Sequence, residues 1–282
     1  MRTWSSFNLL NRIPTVEKCD AKDDAHRYVA RLTNEKNKMN FIKVNSMKKL
    51  VVMFLGLFVG ASLFAQQVND PNAEVRAAKN FHGINVSNAF DVYLSQSNDE
   101  AVAVSSSDKD YQSKIEVEVR DGILYVGLEK GLKWHSGNKK LKAYISFKQI
   151  DKLTVSGACD VFISGVLKAN KLSINQSGAS DLKGKIEVNE LMVDISGASD
   201  VTVSGSASKV NVEASGASDF KGFDLVTDYC DVRASGASGI RITVNKELSA
   251  HASGASDIKY KGDGLIRDLK TGGASSVSRS RS

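Results

Sequence analysis

The sequence predicts an all-β chain folded as a right-handed parallel β-helix, and three observations predict it. A Ser-Gly-Ala phrase returns at residues 156–158, 177–179, 196–198, 215–217, 235–237 and 253–255, and in a decayed Gly-Gly-Ala form at 272–274. From Gly157 to Gly273 the glycine-to-glycine steps are 21, 19, 19, 20, 18 and 19 residues, a period with no helical pattern inside it, as in solenoids of stacked strands. Between phrases, apolar positions alternate with polar ones, as in Leu191 and Val193 before a turn and Val201 and Val203 after it. Alternation on β-branched residues means short strands with one face buried. The pattern repeats by translation without reversal, so strands of successive coils run parallel, and parallel connections are right-handed. Two strands of three to five residues with tight corners account for a coil of ~19 residues.

The elements follow in chain order. Residues 1–46 are polar and read as an upstream extension that is not native, with Met47 the initiator. Residues 47–65 read as a secretory signal peptide: Met47-Lys48-Lys49, an apolar run from Leu50 to Phe64, and Ala65 at the cleavage point. Removing residues 1–65 takes away 11 of 38 basic and 5 of 32 acidic residues and leaves 27 of each. The apparent excess of positive charge goes with them, and so does any electrostatic case for nucleic acid or an anionic membrane surface. Membrane contact is then expected only through the uncleaved signal. Residues 66–80 read as a linker and 81–277 as a single β-helix domain. Within it, 81–150 form less regular coils that cap one end, with a hairpin at Asp121-Gly122, and 151–277 form the repeats. The polar tail 278–282 ends the chain.

Each phrase supplies a turn. Gly157, Gly178, Gly197, Gly216, Gly236 and Gly254 take a φ that other residues dislike, and Ala179, Ala198, Ala217, Ala237 and Ala255 are expected to fill an inward corner too tight for a larger side chain. The serines read as hydroxyls bonding turn backbone rather than as nucleophiles. Asp160, Asp181, Asp200, Asp219 and Asp257 form an outward column interrupted at Gly239. Like charges ~4.8 Å apart repel by roughly 0.9 kcal/mol in water, and Lys183, Lys221, Arg241 and Lys259, two residues further on, are expected to offset them. Calcium on Asp181, Asp200 and Asp219 is the weaker alternative, since that ion wants six to eight oxygens. Cys159 and Cys230 lie too many rungs apart for a disulfide, and Cys230 reads as a small buried hydrophobe. His82, His135 and His251 lack metal-ligand spacing. Neither a cofactor motif nor a catalytic constellation stands out, so a non-enzyme is expected. Trp134, in the polar stretch 129–140, is the one candidate binding residue.

The opening Phe81-His82-Gly83-Ile84-Asn85-Val86, followed by Phe90-Asp91-Val92-Tyr93-Leu94 and the Ser-Gly-Ala-Ser-Asp phrases, resembles the putative auto-transporter adhesins with a head GIN domain. The resemblance covers roughly residues 80–277. It implies an exported protein of a Gram-negative bacterium, held in the periplasm, on the outer-membrane surface or outside the cell, with a right-handed β-helical fold. No barrel segment follows the repeats and Gln66 stands where a lipid-anchored Cys would be, so neither self-export nor lipidation is expected. The functional expectation is an adhesin-like, non-catalytic binder of a glycan or protein. The alternatives are a lyase-like enzyme acting on polysaccharides and a self-associating structural component of the envelope.

Overall fold

The computed structural model describes residues 70–132 and 140–280. The expected extension and signal segment, and Trp134 and His135, lie outside the described residues. In chain order the strands are β1 (Glu74–Arg76), β2 (Gly83–Val86), β3 (Phe90–Gln96) and β4 (Ala101–Ser106), then a one-turn helix α1 (Lys109–Gln112), then β5 (Ile115–Arg120), β6 (Ile123–Leu128), β7 (Leu141–Phe147) and β8 (Lys152–Val155). The repeats give β9 (Asp160–Gln176), β10 (Asp181–Ile195), β11 (Asp200–Ala214), β12 (Asp219–Ala234) and β13 (Gly239–Ala252), followed by β14 (Asp257–Lys261), β15 (Leu265–Thr271) and β16 (Ser276–Arg279). Together they form a β-solenoid of about seven turns with ~19 residues in each.

Strands β9 to β13 pair in parallel, with equivalent residues of successive phrases side by side: Asp181 beside Asp200, Leu191 beside Val210, Ile195 beside Ala214. Each of these coils is one bent strand of 14 to 17 residues, not the two short strands expected. Bulges explain the difference. The second corner is rounded by register shifts, between Lys183 and Lys185 and between Thr202 and Gly205, so pairing resumes without a separate turn.

At the Ser-Gly-Ala corner the glycines have φ from 90° at Gly157 to 73° at Gly254. From Ala179 onward, the amide of each following alanine donates to the glycine carbonyl one coil below, as from Ala198 to Gly178 at 2.8 Å and from Ala217 to Gly197 at 2.8 Å. The alanines do not fill an inward corner: Ala179, Ala198, Ala217, Ala237 and Ala255 are all exposed. The inward position belongs to the next residue, Ser180, Ser199, Ser218, Ser238 or Ser256, each no more than 3% exposed. Its hydroxyl closes the turn, Ser218 Oγ donating to the Ser215 carbonyl and Ser238 Oγ to that of Ser235, both at 2.8 Å. Ser238 and Ser256 also reach carbonyls of other coils, at Ala214 and Ala234. A buried polar group must find such partners or cost about 1–3 kcal/mol, which is why a hydroxyl suits this corner.

The N-terminal coils are stacked out of chain order. Strands β2 and β3 lie between the repeats on one side, pairing with β8 and β9, and β6 and β7 on the other. Residues 97–132 and 140–150 therefore build the end layer, on the far side of β2 and β3 from the repeats. That end is closed by antiparallel pairs, β4 on β7, β1 on β4 and β5 on β6, the last joined by Asp121 and Gly122 with φ of 50° and 73°, as a tight hairpin requires. The expected linker takes part in this layer. Asp70 accepts from Ser105 Oγ at 2.7 Å and Tyr144 Oη at 2.9 Å, and Ala78 is buried. At the other end β16 pairs with β14 through Arg279, so pairing runs two residues into the expected tail.

Among the described residues the two cysteines, Cys159 and Cys230, are free and buried. Cys159 occupies the first rung of the inward serine column, and Cys230 sits beside Val210 and Leu248. Burial pushes the Cys230 thiol up to about 12 from an ordinary 9.0, against a lowering contact with Thr227, and burial raises that of Cys159 as well. Folding therefore retains a proton on Cys230 between about pH 9 and 12 that the unfolded chain releases, and stability falls as pH rises through that window. Iodoacetamide at pH 8 is expected to leave both thiols unmodified in the folded protein and to alkylate both in guanidinium. Mass mapping of Cys230 as alkylated in the native state would contradict this packing.

Candidate functional site

The outer face of the sheet that runs β7-β3-β9-β10-β11-β12-β13-β14-β16 carries the most organised surface chemistry. Alternation puts Asp91, Asp160, Asp181, Asp200 and Asp219 in one column, then Gly239 and Asp257. Two residues along lies a second column: Tyr144, Tyr93, Phe162, Lys183, Thr202, Lys221, Arg241 and Lys259. The column thus begins with three aromatic rungs and continues with cations at every rung but Thr202.

The expected offset of charge holds where cations are available. Lys183 lies 3.7 Å from Asp181, Lys221 bridges Asp200 and Asp219, and Arg241 lies 3.7 Å from Asp219. The carboxylates of the calcium alternative, Asp181, Asp200 and Asp219, are each engaged by a cation in this way. At the break, Gly239 leaves room that the Asp219 carboxylate fills: a Cβ there would stand 2.4 Å from Asp219 Oδ1, and the same carboxylate lies 3.7 Å from Arg241.

Beside the aromatic rungs the balance changes. With Phe162 in place of a lysine, Asp160 is flanked by Asp91 and Asp181. Burial, then the charge of Asp181 and of Asp91, raise its carboxyl above the ordinary range, and Lys183 opposes them. The aromatic rings are half-buried and stack on one another, Tyr93 on Tyr144 at 5.2 Å and 15°, and on Phe162 at 5.5 Å and 22°. The faces within the stack are spent on each other, so the strip presents ring edges to a ligand. The result is a strip of aromatic edges bordered by Asp160 and Asp91, with Lys142 next in that column.

Elsewhere the surface is neutralised in ladders, with Lys168 to Glu187 at 2.8 Å, Lys171 to Glu190 at 2.7 Å and Arg233 to Glu213 at 3.0 Å, exposed pairs that water and salt screen. Two shallow polar grooves, of about 480 Å³ beside Glu100 and Lys148 and about 360 Å³ beside Glu187 and Asp228, open at the corners. His82 and His251 are each paired with an aspartate, Asp151 at 3.0 Å and Asp268 at 2.8 Å. Trp134 lies outside the described residues. The aromatic ladder escapes a linear reading because its members are far apart in sequence. Its signal is the match of Asp91-Val92-Tyr93 to Asp160-Val161-Phe162, two Asp-Val-aromatic triplets in which the aromatic faces outward.

The family described as "Putative auto-transporter adhesin, head GIN domain" matches residues 80–264. Among solved structures the chain is similar to a putative adhesin from Bacteroides fragilis, with 22% identity, 73% of this chain and 95% of that chain covered, and a TM-score of 0.70. It is also similar to a putative adhesin from Parabacteroides merdae (19% identity, 74% and 95% covered, TM-score 0.58) and to a putative lipid binding protein from Parabacteroides distasonis (21% identity, 75% and 98% covered, TM-score 0.56). At these identities the likeness is one of fold. No curated protein matches the chain.

Proposed function

We propose, from the premise that the chain belongs to the family of putative auto-transporter adhesins with a head GIN domain, that it is an exported, envelope-held binding protein that engages a polypeptide partner through the Tyr144-Tyr93-Phe162 strip. The observation that carries this reading is the strip itself, a solvent-facing aromatic ladder beside Asp91 and Asp160, where rings stand in the second column in place of cations. Aromatic residues are favoured at protein interfaces and Tyr supplies many binding hot spots. Because the stacked faces are occupied, a neutral sugar ring has little to stack on, and the negative border favours a partner bearing Lys or Arg. The signal-like segment at 47–65 supports export, and the family of putative adhesins supports a binding role.

Binding of the labelled chain to epithelial cells tests the reading. Binding is expected to be lost when the cells are shaved with protease, to survive glycosidase treatment, and to weaken at least tenfold in Tyr93→Ser, roughly the size of a modest hot spot. Glycosidase-sensitive binding would return the ligand to the glycan class, and full binding by Tyr93→Ser would move the site off this strip.

A further inference from the structure

We propose that the binding surface does not end at the rings: residues 70–76 lie across the end layer as a strap that supplies one more contact, Val75, and holds Tyr144 in place through Asp70. The inference rests on the reading of the Tyr144-Tyr93-Phe162 strip as the site of a polypeptide partner, and extends it. Strand β1 inverts the pattern of the sheet it joins. Glu74 and Arg76 register with Val104 and Val102, both fully buried, and so take the inward side, where Arg76 Nη2 donates to the Gln112 carbonyl of α1 at 3.3 Å and Nη1 lies 3.1 Å from Glu74. The apolar residue, Val75, takes the outward side and is 50% exposed. Single surface valines are common, but this one is in register with Ala103, and Ala103 with Tyr144. The column therefore continues from Phe162 through Tyr93, Tyr144 and Ala103 to Val75, a line across five strands of about 19 Å at ~4.8 Å per strand.

Asp70 ties the strap to the rings. Its side chain is 11% exposed; one oxygen accepts from Tyr144 Oη at 2.9 Å and Ser105 Oγ at 2.7 Å, and the other from the Asn72 amide at 3.1 Å. A phenol bonded at its tip has its ring direction set, and this is the ring on which Tyr93 stacks. Burial, then the bond to Asp70 and its charge, hold the Tyr144 phenol above its ordinary range, so it stays a donor. The same carboxylate lies 3.8 Å from Lys142, the cation that follows Asp91 in the aspartate column. With Lys142 answered from the strap, Asp91 and Asp160 are left to face a partner bearing Lys or Arg, beside an apolar line that the partner can cover. Val75 is then a contact residue, and Asp70 a positioning residue that acts through Tyr144.

The test is again binding of the labelled chain to epithelial cells, with Tyr93→Ser as the reference for the strip. Val75→Ser is expected to weaken binding about three- to tenfold at unchanged Tm, and Val226→Ser, 48% exposed on β12 and away from the strip, to leave it unchanged. Asp70→Asn and Tyr144→Phe are each expected to weaken binding about threefold, and the double variant no further than either alone, because both changes break one bond. A second measurement needs no ligand. With an NMR-active carbon at tyrosine Cζ, Asp70→Asn is expected to move the Tyr144 resonance, identified by its absence in Tyr144→Phe, and to leave those of Tyr229 and Tyr260 in place. Wild-type binding by Val75→Ser, or an equal loss in Val226→Ser, would overturn the contact at Val75. Additive losses in the double variant, or an unmoved Tyr144 resonance, would overturn the positioning role of Asp70. In either case loss of binding in Tyr93→Ser would leave the strip standing, whereas full binding by Tyr93→Ser would overturn the strip and this extension of it together.

Discussion

Replacing Gly197 with valine is expected to destabilise the solenoid by roughly 2–6 kcal/mol, combining left-handed backbone strain with an overpacked contact, while the same replacement one residue later, at Ala198, changes stability by less than about 0.5 kcal/mol. Gly197 has φ of 80°, and a Cβ there would stand 2.4 Å from the carbonyl oxygen of Gly178 and 3.0 Å from its nitrogen. The obstacle is backbone in the neighbouring coil, itself held by the bond from Ala198, so neither side can yield without opening the stack. Ala198 is exposed, so two extra methyl groups there can extend toward solvent. Thermal unfolding monitored at 218 nm separates the two variants, with Tm expected to fall by about 10 °C for Gly197→Val. Equal losses at both positions would mean that the alanine column, not the glycine column, limits how closely coils approach.

That contrast marks where the sequence is legible and where it is not. The period and the apolar alternation lie on the chain, so the stacked coils, their parallel sense and the inward faces of the strands can be read directly. A turn has no alternation, so which residue of Ser-Gly-Ala-Ser points inward depends on φ values that only the folded corner specifies. Ser87-Asn88-Ala89 is an earlier copy of the same turn that a search for glycine passes over. Asn88 has φ of 78°, and its carbonyl accepts from Ala158 at 2.7 Å as the glycines of later coils do for theirs. Asparagine is one of the few other residues that tolerate this conformation. The excursion of 97–150 hides more, because it puts β3 between β7 and β9 and so makes Tyr93 the neighbour of both Tyr144 and Phe162. Nothing in sequence order announces that adjacency. The charge ladder was legible because its members recur at the coil period, and the aromatic strip was not because they do not.

The second large effect concerns how the interior accommodates unequal side chains. The first two inward positions of successive coils read Val161 and Ile163, Leu182 and Gly184, Val201 and Val203, Phe220 and Gly222, Ile240 and Ile242. Glycine stands second in two of these coils: at Gly184 the space is taken by Ile163 of the coil below, and at Gly222 by the large residue of its own coil, Phe220. A Cβ on Gly222 would stand 2.5 Å from Cε1 of Phe220 and 3.1 Å from Cζ, so the phenyl ring occupies the space that the missing side chain leaves. Phe220 is fully buried, and Phe220→Ala is expected to cost roughly 3–5 kcal/mol. Gly222→Val alone is expected to cost about 1–3 kcal/mol through overpacking against the ring. Together, Phe220→Val and Gly222→Val recreate the pair found at Val201 and Val203, which the neighbouring coil already packs. The double variant should therefore be more stable than the two single changes predict by at least about 1 kcal/mol, a coupling expected only for residues that share one space. Urea unfolding of the four members of this cycle gives the coupling directly. Simple additivity would mean that the ring and the glycine are independent, and that the solenoid fills its interior coil by coil instead of across adjacent positions.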